Sequence, residues 1–118
     1  MTTIKSYTDI EQSKKLAKIL PIESADMYYT PSLIKGHTNY FPHLKRRFPI
    51  DWDIEQAIPC WSLVALLSVI PNYKLNSEHN CHTCTSETNF GKESVGWYDN
   101  PIDACVEMIL KLHELNLL

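Results

Sequence analysis

Seven prolines, at positions 21, 31, 42, 49, 59, 71 and 101, divide the 118-residue chain. Proline has no amide hydrogen and its ring clashes with the preceding turn, so a helix interior cannot run through it. Long helices are therefore confined to the stretch before Pro21, the interval between Pro59 and Pro71, and the segments after Pro71. From Glu23 to Pro59 the prolines fall too close together for any long helix.

Within those limits the hydrophobic periodicity assigns the elements. Thr8-Asp9-Ile10-Glu11 reads as a capping box, with Thr8 accepting from the first turn and Glu11 reaching back. Ile10, Ala17 and Leu20 share a face with Ser13, and Leu16 widens the stripe, predicting a helix over 9–20. Residues 23–59 read as an irregular, aromatic-rich layer, with a short strand at Ala25–Thr30 and a helical turn within Tyr40–Phe48. Ser62 is a good cap, and Leu63, Leu66, Leu67 and Ile70 repeat at helical spacing. With Val64 and Val69 also apolar, 62–70 is expected to be the central buried helix.

Tyr73–Asn76 and Ser94–Tyr98 alternate apolar and polar residues around a polar Ser77–Glu93, predicting a β-hairpin or meander over 73–99 with a long tip. A third strand is allowed within Thr83–Phe90. Asn100-Pro101-Ile102-Asp103 supplies a cap, a first-turn proline and a first-turn acid for a C-terminal helix over 101–115. The expected fold is one α+β domain over 1–118, its N-terminal, central and C-terminal helices packed on a small antiparallel hairpin or meander.

Composition narrows the function classes. With 44% hydrophobic residues, twelve of them aromatic, the chain can build a core, and its formal net charge is −3. The apolar run at Leu63–Leu67 is far too short to cross a bilayer, so no membrane role is expected. The N-terminal MTTIKSYTDIEQ lacks the apolar core of a signal peptide, making a cytoplasmic protein the expectation. Three glycines, at 36, 91 and 96, leave no room for a phosphate-cradling loop.

Pro59-Cys60-Trp61-Ser62-Leu63, Leu66-Leu67, Pro71, Trp97-Tyr98 and Asn100-Pro101-Ile102-Asp103-Ala104-Cys105-Val106-Glu107-Met108 carry a resemblance. Over roughly its C-terminal half the chain resembles small uncharacterised proteins of phages, prophages and mobile elements of gut bacteria. They share a W-S-L-x-x-L-L-x-x-[LI]-P segment, a hairpin, and a D/N-P-x-[DE]-A-x-x-x-[ML]-[IL] helix. The resemblance implies a genomic setting and carries over no catalytic residues.

Three segments hold chemistry-bearing residues. In His79-Asn80-Cys81-His82-Thr83-Cys84, thiolates at C-x-x-C spacing with His79 or His82 could hold zinc. No second half-site follows, so the competing role is a polar hairpin tip. Cys60-Trp61-Ser62, at the mouth of an apolar helix, is similar to the nucleophile segment of papain-type proteases, with His79 the only candidate base by chain order. No Gly-rich turn precedes Cys60, however, and both Cys60 and Cys105 lie in apolar stretches where cysteine packs as a core residue.

The third segment is basic: Lys35, Lys45, Arg46 and Arg47 alternate with Tyr40, Phe41 and Phe48 and could track a nucleic-acid backbone. The excess of acids elsewhere, and Asp51, Asp53 and Glu55 directly after it, favour an ordinary solvated face. No paired acid and base emerges, and no cofactor is expected beyond that zinc. The expected function is a non-enzymatic accessory protein that binds another protein through Tyr28, Tyr29, Tyr40 and Phe41. The alternative is a small metal-dependent nucleic-acid-binding module using Cys81, Cys84 and the basic segment.

Overall fold

The computed structural model describes residues 5–34, 37–44 and 57–118. The first helix, α1 (Ile10–Ala17), is capped by Asp9, one residue later than expected. Asp9 Oδ1 accepts from the Gln12 amide at 2.8 Å, while the Asp9 amide donates to Gln12 Oε1 at 3.1 Å. Thr8 does not cap because its hydroxyl is used elsewhere. It is fully buried, accepts from the Trp61 amide at 3.1 Å and bonds the Ser13 hydroxyl at 2.7 Å. Ser13, Leu16 and Leu20 form the buried face of this segment, and Ala17 is exposed.

Where it is described, the segment expected to be irregular is largely sheet. Strands β1 (Met27–Ile34) and β2 (His37–Leu44) pair antiparallel over their full eight-residue lengths, and β3 (Ile58–Cys60) pairs with the start of β1. Residues 40–44 are therefore strand and not a helical turn, whereas 45–56 lie outside the described residues. Two prolines sit inside this ladder, Pro31 opposite Tyr40 and Pro42 opposite Tyr29. These pairs are two registers apart and so belong to the same class, the one whose amides point away from the partner strand. Pro42 is on an edge strand, and Pro31 lies beyond the three β1 residues that β3 reaches, so neither removes a necessary donor.

Trp61 and Ser62 lead from β3 into α2 (Leu63–Val69). The Ser62 amide donates to Asp26 Oδ1 at 2.9 Å, its hydroxyl donates to the other carboxylate oxygen, and it accepts from the Ala65 amide at 3.3 Å. Trp61 is fully buried, with its indole N–H donating to the Ser24 hydroxyl at 3.0 Å. The helix is not the buried centre expected of it. Ala65 and Leu66 point inward, but Val64 is 77% exposed.

The central element is α3 (Pro101–Glu114). Ile102, Ala104, Cys105, Val106, Met108, Ile109 and Leu112 are all buried along it. Asn100 caps it by accepting from the Asp103 amide at 2.8 Å. Asn116, at φ 59, ends it: its amide reaches the His113 carbonyl at 3.0 Å, and Leu117 reaches Leu112 at 2.8 Å. That is a Schellman closure, and it seats Leu117 on the core while Leu115 and Leu118 stay about half exposed.

Three strands form the second sheet, β4 (Tyr73–Glu78), β5 (Cys81–Thr88) and β6 (Gly91–Ser94), in that spatial order. The supposed polar tip is thus mostly sheet, and the third strand allowed within Thr83–Phe90 is the central one, running from Cys81 to Thr88. Its two turns explain why. His79 and Asn80, at φ 50 and 64, make the positive-φ turn that a two-residue hairpin of type I′ requires. Asn89-Phe90 makes the second, followed by Gly91 at φ 121. Residues from all three helices, with Trp61 and Cys84, share one apolar core, giving a mixed α+β architecture with two antiparallel sheets. Among the described residues no helix is long and apolar enough to cross a membrane.

Candidate functional site

Strand alternation decides the fate of the Cys-x-x-C segment. Successive side chains on a strand take opposite faces, so residues three apart, such as Cys81 and Cys84, cannot share one. Cys84 faces inward, fully buried, beside Cys105 of α3. The neighbouring thiol and the exclusion of water hold the Cys105 thiol far above its ordinary pKa. Cys81 is half-buried on the other face, opposite Glu78. His82 bonds the Ser77 hydroxyl through Nδ1 at 2.7 Å, and the His79 ring projects into solvent from the turn. The structure therefore does not bring the expected ligands together, and no group of three metal-ligating side chains converges among the described residues.

Cys60 lies in a closed cluster of hydroxyl groups. It is fully buried, 3.7 Å from the Thr8 hydroxyl and 3.5 Å from the Thr8 carbonyl, with the Tyr29 hydroxyl also against it. Burial raises its pKa, outweighing the hydrogen bonds from Thr8, Tyr29 and Ser13 that work the other way. A nucleophilic cysteine needs a thiolate and a neighbouring base. Hydroxyl partners surround this one, and among the described residues no imidazole bonds it.

The aromatic surface expected at Tyr28 and Tyr29 is interior: each is only 5% exposed. Tyr29 donates its hydroxyl proton to the Thr8 carbonyl and stacks edge-on with Tyr7 at 6.2 Å. Burial, then the neighbouring Cys60, push its phenol well above the ordinary range. Consecutive buried residues on β1 mean that the strand is covered on both faces, which the apparent alternation around Met27 and Tyr29 concealed. Tyr40 and Phe41 lie on β2, opposite Pro31 and Thr30. Lys35, Lys45, Arg46 and Arg47 are outside the described residues.

A charged knot ties the N-terminal segment to α3. Lys5 Nζ lies 2.9 Å from Asp103 Oδ1 and 3.0 Å from Asp9 Oδ2, while Gln12 Nε2 donates to Asp103 at 2.7 Å and Asn100 Nδ2 at 2.9 Å. Burial alone would favour the neutral forms. The bonds from Lys5, Gln12 and Asn100 override it and hold Asp103 below the ordinary carboxylate range, and the two carboxylates hold Lys5 above its own. Every group here is occupied by its neighbours, so the knot is a fastening.

The surface offers a different site. Pro71, Asn72, Phe90, Asn116, Leu117 and Leu118 line an open groove of about 430 Å³ between the β5–β6 turn and the end of α3. Phe90 stands on it 83% exposed. The turn beneath is held by Thr88, whose hydroxyl donates to the Gly91 carbonyl at 3.0 Å and accepts from the Phe90 amide at 3.2 Å. Sequence reasoning passed over Phe90, although an aromatic inside an Asn-Phe-Gly turn has no strand or helix face through which to bury itself. The arrangement can take an apolar side chain against the Phe90 ring, leucine and proline, with asparagine amides and Glu87 in the same lining. Compared with known proteins, the chain matches no family model, no curated protein and no solved structure.

Proposed function

We propose that this chain is a non-enzymatic accessory protein of a phage or mobile element, acting in the cytoplasm by binding another protein at the Phe90 groove. The carrying observation is Phe90 itself, held in water at 83% exposure on a turn that its own hydrogen bonds keep rigid. Burying a phenylalanine is worth about 1.5–3 kcal/mol, and aromatics that seat in a partner's pocket are typical interface anchors. The genomic setting is supported by the resemblance in the C-terminal half. Occupation of the buried thiols and the Asp103 knot by internal partners supports a role in adhesion.

The test is photo-crosslinking. Phe90 is replaced by a benzophenone amino acid in cells that also express the neighbouring genes, with exposed Lys14 on α1 as the control position. A discrete protein adduct is expected at 90 and not at 14, and Phe90→Ala should weaken that partner's binding roughly thirtyfold, the scale of a hot-spot residue. Identical adducts at both positions, or none at 90, would overturn the reading.

A further inference from the structure

The second sheet has two edges, and they differ. On one side, β6 is four residues long, begins at Gly91 and has its Ser94 carbonyl taken by Lys111 Nζ at 2.6 Å. On the other, β4 offers six residues, Tyr-Lys-Leu-Asn-Ser-Glu, and among the described residues no strand pairs with its outer side. Five of the six are exposed. The strand has no proline or glycine and only one lysine, so it lacks most of the devices by which proteins protect a free edge.

Its charges select a partner. Lys74, Asn76 and Glu78 lie on one face, opposite Thr85, Thr83 and Cys81 of β5. Lys74 meets no acid among the described residues, and Glu78 touches only the exposed His79 ring at 3.6 Å. Laid antiparallel on a second β4 in the register centred on Asn76, each Lys74 falls opposite the other strand's Glu78. Opposed residues in such a ladder are about 4.5–5.5 Å apart at Cβ, close enough for both ion pairs to form. The reverse charge order would pair just as well with itself, but a strand with two like charges would not.

We propose that β4 is a self-association edge, through which two copies of this chain join their second sheets into one six-stranded antiparallel sheet. The partner is a second copy because the edge is complementary to itself in charge and in strand direction. Phe90 itself sits on the β5–β6 turn, while the groove's Pro71 and Asn72 directly precede β4, so the groove adjoins one end of the proposed seam and is not part of its ladder.

Sedimentation velocity and light scattering on the full chain test this. The unaltered protein should run at twice its 13.6 kDa mass at high concentration and dissociate on dilution. Lys74→Glu and Glu78→Lys, each setting like charges opposite one another, should each weaken association roughly tenfold or more. Mixing the two variants should restore it, because each then supplies the charges that the other lacks. In hydrogen exchange of the unaltered protein, the alternate amides of Tyr73–Glu78 that point away from β5 should lose protection on dilution, a readout that does not depend on any variant folding. A monomer at every concentration, a dimer untouched by both substitutions, or a mixture that fails to reassociate would overturn the proposal. Phe90→Ala should leave the mass unchanged, which keeps failure here distinct from failure at the groove.

Discussion

Asp103 joins segments that are almost a chain length apart. Its role as a first-turn acid after the Asn100 cap is readable locally, from four consecutive residues. Its bonds to Lys5 and Gln12, 98 and 91 residues distant, are not, because nothing in a local pattern reports which surfaces will meet. The same limit hid the second use of Thr8: an N-cap signal and a buried hydroxyl anchor look alike in sequence. Since Asp103 has a lowered pKa in the folded chain, its contribution to stability is complete above the ordinary carboxylate value near 3.9 and is lost as pH falls through its own lower one. Asp103→Asn should therefore cost about 1–2 kcal/mol at pH 7, allowing for partial exposure. The cost should shrink at an acid pH low enough for both the folded and the unfolded state to bind the proton. Thermal unfolding of both proteins at the two pH values checks this.

Among the elements, those with intact helical periodicity between cap and stop were legible, and the strands only in part: β1, β4 and β5 overlap expected strands, whereas β2 and β3 were missed and the last strand lies at Gly91–Ser94 and not at Ser94–Tyr98. All three helices lie within two or three residues of their expected limits. The hairpin of β1 and β2 was obscured by its prolines, which break helix interiors but interrupt an antiparallel ladder only at every second position. The β4–β5 turn was hidden by its histidine, since His79-Asn80 lacks the glycine that usually announces such a turn. Apolar composition also misled: an α2 apolar at every position but Ser68 suggested the centre of the core, yet α3 occupies it while Val64 faces water. Leu112→Ala in α3 should accordingly cost about 2–5 kcal/mol, as cavity-forming changes do. Val64→Ala should stay within about 0.5 kcal/mol. Paired denaturant titrations distinguish the two helices directly.

At the scale of the whole molecule, the groups best suited to chemistry are used to hold the fold together. The hydroxyls of Thr8, Ser13 and Tyr29 surround Cys60 where the N-terminal segment meets β3. Cys84 and Cys105 meet where the second sheet packs on α3. Among the described residues, what remains for function is the exterior, with the Phe90 groove and the β4 edge that begins beside it. The candidate site was illegible from sequence because a groove is a property of separated segments, here Pro71–Asn72, residues 87–90 and the end of the chain after α3, brought side by side. The central claim is that the interior has closed over its reactive sulfur, and counting thiols tests it most directly. With a small aromatic disulfide reagent at neutral pH, Cys81 alone of the four should react in the folded protein, and Cys60, Cys84 and Cys105 only on unfolding. Modification of Cys60 in the native chain as fast as Cys81 would contradict the account.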